Sequence, residues 1–210
     1  PPAIQGGANP RVNPGQPGYF EAARSVQLID AGQPADRSLG DVHPQGNPHI
    51  YLDPIRMSVA AEALAEHMAD LRPALAGQFR ANALKFSDTI DARMPDWLAR
   101  TANAPGVLFF HADGNYMARR FGVPVHGTIE PLPGIPPNAS HLNDLVKRLS
   151  GETGVIMYAV YDPPAGPEFL GRQLGWPRHA LPHNVPLNDL SAEAYFVLID
   201  KWVEAFRSEN

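Results

Sequence analysis

Four side chains of metal-binding type stand at or just past the ends of expected strands. His111 follows Val107 to Phe110, Glu130 follows Val123 to Ile129, Asp162 follows Val155 to Tyr161, and His183 comes just after His179 to Leu181. Imidazole and carboxylate are ligands that zinc takes at about 2.0 to 2.2 Å, commonly four in a tetrahedron. The chain has no cysteine, so His, Asp and Glu are its only strong ligands. Each position also has an ordinary reading. A lone His at a strand end is usually hydrogen-bonded. Asp162, before Pro163 and Pro164, suits helix entry as well as ligation. Glu130 suits the bracing of a ligand His better than direct coordination.

A carboxyl-end rim needs a parallel sheet, and the pattern after residue 105 supplies one. It reads strand Val107 to Phe110, helix Asp113 to Phe121, strand Val123 to Ile129, helix His141 to Leu149. It continues with strand Val155 to Tyr161, helix Gly166 to Leu174, a short strand His179 to Leu181 and a closing amphipathic helix Ala192 to Phe206. Such alternation predicts an α/β fold, a parallel sheet covered by helices, with ligands gathering outside the carboxyl ends of its strands.

Upstream, two helices are expected, one opening after Pro54 and ending near Asp70, the next starting at Pro73. Leu64, Met68, Leu71, Leu75, Phe79, Ala83, Phe86, Ile90, Met94 and Trp97 recur at helical spacing and make one apolar face. The second helix can reach about 40 Å, with Pro95 a position where it can kink. Residues 1 to 54 hold nine prolines and seven glycines. They read as loops, apart from a short helix at Tyr19 to Ser25 and a strand at Val26 to Asp30.

Composition narrows the function. The net charge is -5 and no basic run tracks a phosphate backbone, which argues against a nucleic-acid partner. No apolar stretch reaches the roughly 20 residues needed to span a bilayer. No glycine-rich phosphate loop, His-Glu-x-x-His helix or serine elbow is present. Trp97, Trp176 and Trp202 read as core anchors, and His67, His126 and His141 as packing or surface residues.

Two further histidines, His43 and His49, lie on a Pro-rich loop. The run Asn47-Pro48-His49-Ile50-Tyr51-Leu52-Asp53-Pro54 resembles the loop before the linking helix in zinc and manganese solute-binding proteins of ABC transporters. Further matches run in order: Val107 to Tyr116 resembles the family's strand ending in a ligand His, and Gly127 to Leu142 closely resembles the stretch entering its next helix. The resemblance covers roughly residues 40 to 206.

This resemblance implies His49 and His111 as metal ligands and places His183 where the family usually has a carboxylate, with Asp162 as second choice for that role. An imidazole there favours zinc over manganese. It implies a C-terminal lobe with a four-stranded parallel sheet flanked by helices, a long linking helix and an incomplete N-terminal lobe. The boundaries expected are 1–54 for the N-terminal remnant, 55–104 for the linking helices and 105–210 for the C-terminal lobe. The family's first ligand His lies upstream of the matching region, and His43 is either its replacement or a solvated loop residue. The function implied is a monomeric, extracytoplasmic, non-enzymatic receptor that hands zinc, less readily manganese, to an ABC permease. The alternatives are a metal chaperone or binding module, or a metal-dependent hydrolase with Glu130 as its base.

Overall fold

The computed structural model describes residues 9–32 and 45–207. His43 lies outside them. The chain divides into two compact units, one of Pro1–Gln27 with Ile55–Ala92, the other of Leu28–Pro54 with Arg93–Asn210.

The first unit is built on helix α1, Pro54–Leu71, and most of helix α2, Ala76–Thr101, joined by a 3-10 turn at Pro73–Leu75. Ser58 donates to Ser87 at 2.6 Å, and Ser87 donates to Glu62 at 2.8 Å, tying the two helices through a polar thread. Arg80 makes a bidentate bond to Glu66 at their exposed ends. The helix runs unbroken through Pro95. The apolar face is only partly covered: Ile90 is buried, whereas Leu64 and Leu75 are 42% and 46% exposed. Leu75 falls in the turn, so the period that links it to α1 is interrupted there.

Two N-terminal expectations are corrected. Tyr19 to Ser25 holds only a 3-10 turn at Ala22–Ser25, and Val26 to Asp30 forms no strand. Asp30 adopts a left-handed φ of 58°, which breaks an extended run, and Ile29 bonds to side chain and loop groups instead of a neighbouring strand.

The second unit is the α/β part. Strands β1, Gly106–Phe109, β2, Val125–Thr128, β3, Gly154–Ala159, and β4, Arg178–Leu181, form one parallel sheet in the order β2-β1-β3-β4. Helices α3, Asn115–Phe121, α4, Ala139–Leu149, α5, Ala165–Leu174, and α6, Ala192–Ala205, connect and close it. Side chains alternate across each strand. Leu108 and Ile156 pack with Leu145, Leu149 and Leu170 on one face. On the other, Phe109 meets Trp202 and Phe206. Trp97, Trp176 and Trp202 are buried, as predicted.

Chain order reverses between β1 and β3. In open parallel sheets this switch point opens a crevice at the carboxyl ends, because the following connections leave toward opposite faces. His111 and Asp162 follow those two strands.

Candidate metal centre

The ladder between β1 and β2 continues past the strands proper. Ile129 N–H donates to Phe109 O at 2.8 Å and Glu130 N–H to Phe110 O at 3.0 Å. This register delivers Glu130 beside His111, whose Nδ1 lies 2.7 Å from Glu130 Oε2. A carboxylate only accepts, so His111 carries its proton on Nδ1 and turns the lone pair of Nε2 outward. The same Glu130 oxygen accepts from Gly134 N–H at 3.1 Å.

His111 Nε2 lies 3.2 Å from His49 Nε2. His49 comes from a distant part of the chain, and Asn47 brings it there. Asn47 is buried, and its Oδ1 accepts from His49 N–H at 2.9 Å while its Nδ2 donates to Ala112 O at 2.7 Å. Tyr116, fully buried on α3, donates to Asn47 O at 2.6 Å. Asp53, also fully buried, closes the loop with two bonds to Arg120 at 3.0 and 3.1 Å. The loop carrying His49 is thereby fastened to the segment that follows β1. On its other side His49 Nδ1 meets Tyr51 Oη at 3.3 Å.

The segment after His111 rests on Phe109: a Cβ on Gly114 would stand 2.3 Å from that ring. Only glycine permits this approach, which presents Asp113 inward. Asp113 Oδ2 lies 3.1 Å from His183 Nδ1, with both side chains buried. Trp202 Nε1–H holds the His183 loop through Pro182 O at 2.8 Å, and its ring packs 5.0 Å from the His183 ring. Tyr161 Oη lies 3.3 Å from the same Nδ1. His183 Nε2 is buried with no hydrogen-bond partner.

Desolvation sets the electrostatics. Burial pushes the Asp113 carboxyl up to about 7, against the attraction of His111 and with the repulsion of Asp162. Burial pulls His183 down to about 4, helped by the nearby His49 and His111 rings. Ion-pair geometry alone would put a full charge on each partner, but burial on both sides favours neutral forms, and the contact is a hydrogen bond sharing one proton. Burial, with the charge of Asp113 behind it, also raises the Tyr51 phenol.

Asp162 is held differently. Its Oδ2 accepts from Ala159 N–H at 2.7 Å, closing the turn after β3. Burial raises its pKa, the Ala159 bond lowers it and the charge of Glu130 raises it further. The structure therefore brings His49 and His111 into contact, sets His183 against Asp113 near them, and ties Asp162 to its own turn. Among the described residues no three His, Asp or Glu side chains stand as a finished metal cluster. Asn47 and Asp113 escaped the sequence reading. Asp113 stands only two residues past His111, which was a usable signal. Asn47 acts through tertiary bonds that leave none.

Over residues 9–208 the sequence matches the ZnuA family, described as zinc-uptake complex component A, periplasmic. The chain belongs to this family. ZnuA-family proteins are metal-binding solute-binding proteins, a receptor family with no enzymatic role, and they are described as periplasmic. No curated protein matches the chain.

Among solved structures, the chain is similar to the solute-binding protein FpvC of Pseudomonas aeruginosa. With FpvC in complex with Mn2+ it shares 26% identity at a TM-score of 0.72, covering 92% of this chain and 70% of that one. With FpvC in complex with Ni2+ the values are 25%, 0.71, 92% and 69%. The Zn(II)-bound AdcAII E280Q variant of Streptococcus pneumoniae shares the fold at 18% identity and a TM-score of 0.70, over 90% of this chain and 70% of that one.

Proposed function

We propose that this ZnuA-family chain captures zinc as its cargo through His49 and His111, with His183 as third ligand, and delivers it to an ABC permease from an extracytoplasmic position. The observation that carries this reading is the 3.2 Å approach of the two Nε2 atoms. Two nitrogens bound to one tetrahedral zinc at about 2.0 to 2.1 Å stand about 3.3 Å apart, so the ion replaces a shared proton with little ring movement.

The proton inventory fits. Glu130 keeps the His111 proton on Nδ1, so in the metal-free pair His49 Nε2–H donates to His111. When zinc enters, His49 carries its proton on Nδ1 instead and donates to Tyr51 Oη. His183 joins them when Asp113 is ionised and accepts from Nδ1–H, which leaves the unpartnered Nε2 as the third nitrogen. Carboxylates behind ligand histidines fix their tautomer and raise their basicity. Three imidazoles favour zinc over manganese, which prefers oxygen. Asp162, kept by Ala159 N–H, contributes negative charge rather than a ligand bond.

Capture also fits better than hydrolysis, because Glu130 Oε2 is engaged by His111 and Gly134. In this reading the protein acts as a monomer, with residues 105–210 as its C-terminal lobe. Isothermal titration of the metal-free protein tests the proposal. One zinc should bind per chain, more tightly than manganese, and His49→Ala and His111→Ala should each weaken it at least tenfold. Wild-type affinity in both variants would overturn it.

A further inference from the structure

Behind His111, on the side away from His49, the second unit holds a cavity of about 550 Å³. Its walls are mainly apolar, with Phe110, Pro137, Leu142 and Phe169 prominent, and two carboxylates, Glu130 and Asp162, border it. The volume lies in the range of small-molecule sites, about 300 to 1,000 Å³, which typically pair apolar walls with a few polar groups. The metal reading leaves this space unused, since the Nε2 atom of His111 points to His49 and only its Nδ1 side faces Glu130.

Charge decides the class of occupant. Two helices begin at the cavity, α4 at Ala139 and α5 at Ala165. Each helix start contributes about +0.5 of an elementary charge, and Asn138 already caps the first by accepting from His141 N–H. Against those partial charges stand the two acidic side chains, Glu130 and Asp162, and no basic side chain lines the cavity among the described residues, so it favours a cation. The described bonds to Glu130 and Asp162 use one oxygen of each, Oε2 and Oδ2.

We infer that this cavity is a second binding site, for a small organic amine whose ammonium meets Glu130 and Asp162 while its apolar body lies among Phe110, Leu142 and Phe169. Glu130 would then serve both sites. An ammonium on the other Glu130 oxygen draws charge away from the Oε2 that holds the His111 Nδ1 proton, so amine and zinc weaken each other's binding, reciprocally. This coupling alone rests on the metal reading.

Benzylamine is a suitable probe, with benzyl alcohol and benzoate as uncharged and anionic counterparts of similar size. In NMR titrations of the metal-free full chain, benzylamine should shift resonances of Phe110, Leu142 and Phe169 saturably and bind at least tenfold more tightly than either counterpart. Asp162→Asn, which keeps an acceptor for Ala159 N–H, should weaken it about tenfold. Ala139→Phe, at an exposed position on the rim, should block it while the melting temperature holds. Equal binding of the three probes, tighter binding of benzoate, or benzylamine shifts that survive Ala139→Phe would overturn the site. Zinc titrated with and without saturating benzylamine should show at least a threefold loss of affinity, and no loss would overturn the coupling. Failure of zinc binding with benzylamine still bound would sink the metal reading and leave the cavity standing.

Discussion

Glu130 Oε2 stands 2.7 Å from His111 Nδ1, and on the far side of the same ring Nε2 stands 3.2 Å from His49. One carboxylate thus decides which nitrogen of His111 faces the partner histidine. Glu130→Gln keeps the size and a hydrogen bond but removes the charge that holds the proton on Nδ1. Zinc affinity should fall about 10- to 100-fold, as for other partners behind metal-bound histidines, with the melting temperature nearly unchanged. Titration calorimetry beside thermal unfolding checks this, and unaltered affinity would speak against the tautomer role.

Asn47 joins the loop of His49 to the segment following His111 through bonds to His49 N–H and Ala112 O. Asn47→Ala leaves both half-buried backbone groups without those partners. A loss of about 2 kcal/mol is expected, since each stranded group costs about 1 to 3 kcal/mol. Zinc affinity should drop as well, because the two rings lose their common anchor. Chemical denaturation gives the first number and metal titration the second.

Arg120→Ala separates the anchoring of the His49 loop from metal chemistry. Asp53 is fully buried and Arg120 is 30% exposed in its side chain. Removing one partner of a buried pair costs about 3 to 5 kcal/mol, and solvent access to Arg120 points to the lower end, about 3 kcal/mol. Arg120→Lys should recover only part, since a point charge cannot reproduce the two parallel bonds. Urea midpoints of the three proteins decide it.

The stability of the metal-free protein should carry a signature of Asp113 and His183. The Asp113 carboxyl rises from 3.8 to about 7 on folding, so the folded state holds an extra proton between those values. Stability from this group is therefore lost as pH climbs through that window. His183 falls from 6.5 to about 4, so its contribution runs the other way and stability is gained as pH climbs to 6.5. The two offset each other up to about pH 6.5, and a decline toward pH 7 remains. Asp113→Asn should remove that decline and leave a rise with pH across 4 to 6.5. Denaturation midpoints from pH 4 to 8, measured with a chelator present, would show it, and an unchanged profile in Asp113→Asn would refute the assignment.

Strand and helix alternation from residue 105 onward was legible because the two central strands, β1 and β3, are short, nearly continuous apolar runs spaced by helical patterns. Those patterns determined the parallel sheet and set His111, Glu130, Asp162 and His183 just past its carboxyl ends. Local pattern failed for Val26 to Asp30, where apolar residues suggest a strand but Ile29 is held by Tyr116 and Asn47 from elsewhere in the chain. Which rim residues meet was also beyond the sequence. Strand order, with the switch between β1 and β3, and the continued ladder that sets Glu130 beside His111 are choices of pairing between distant segments. Burial, which couples Asp113 to His183, likewise arises only when the packed layers exclude water. The sequence by itself determined the ligand types and the rim. Only the tertiary structure decided that His49 and His111 face each other at 3.2 Å, because that distance is set by Asn47, Tyr116 and Arg120, whose bonds span dozens of residues.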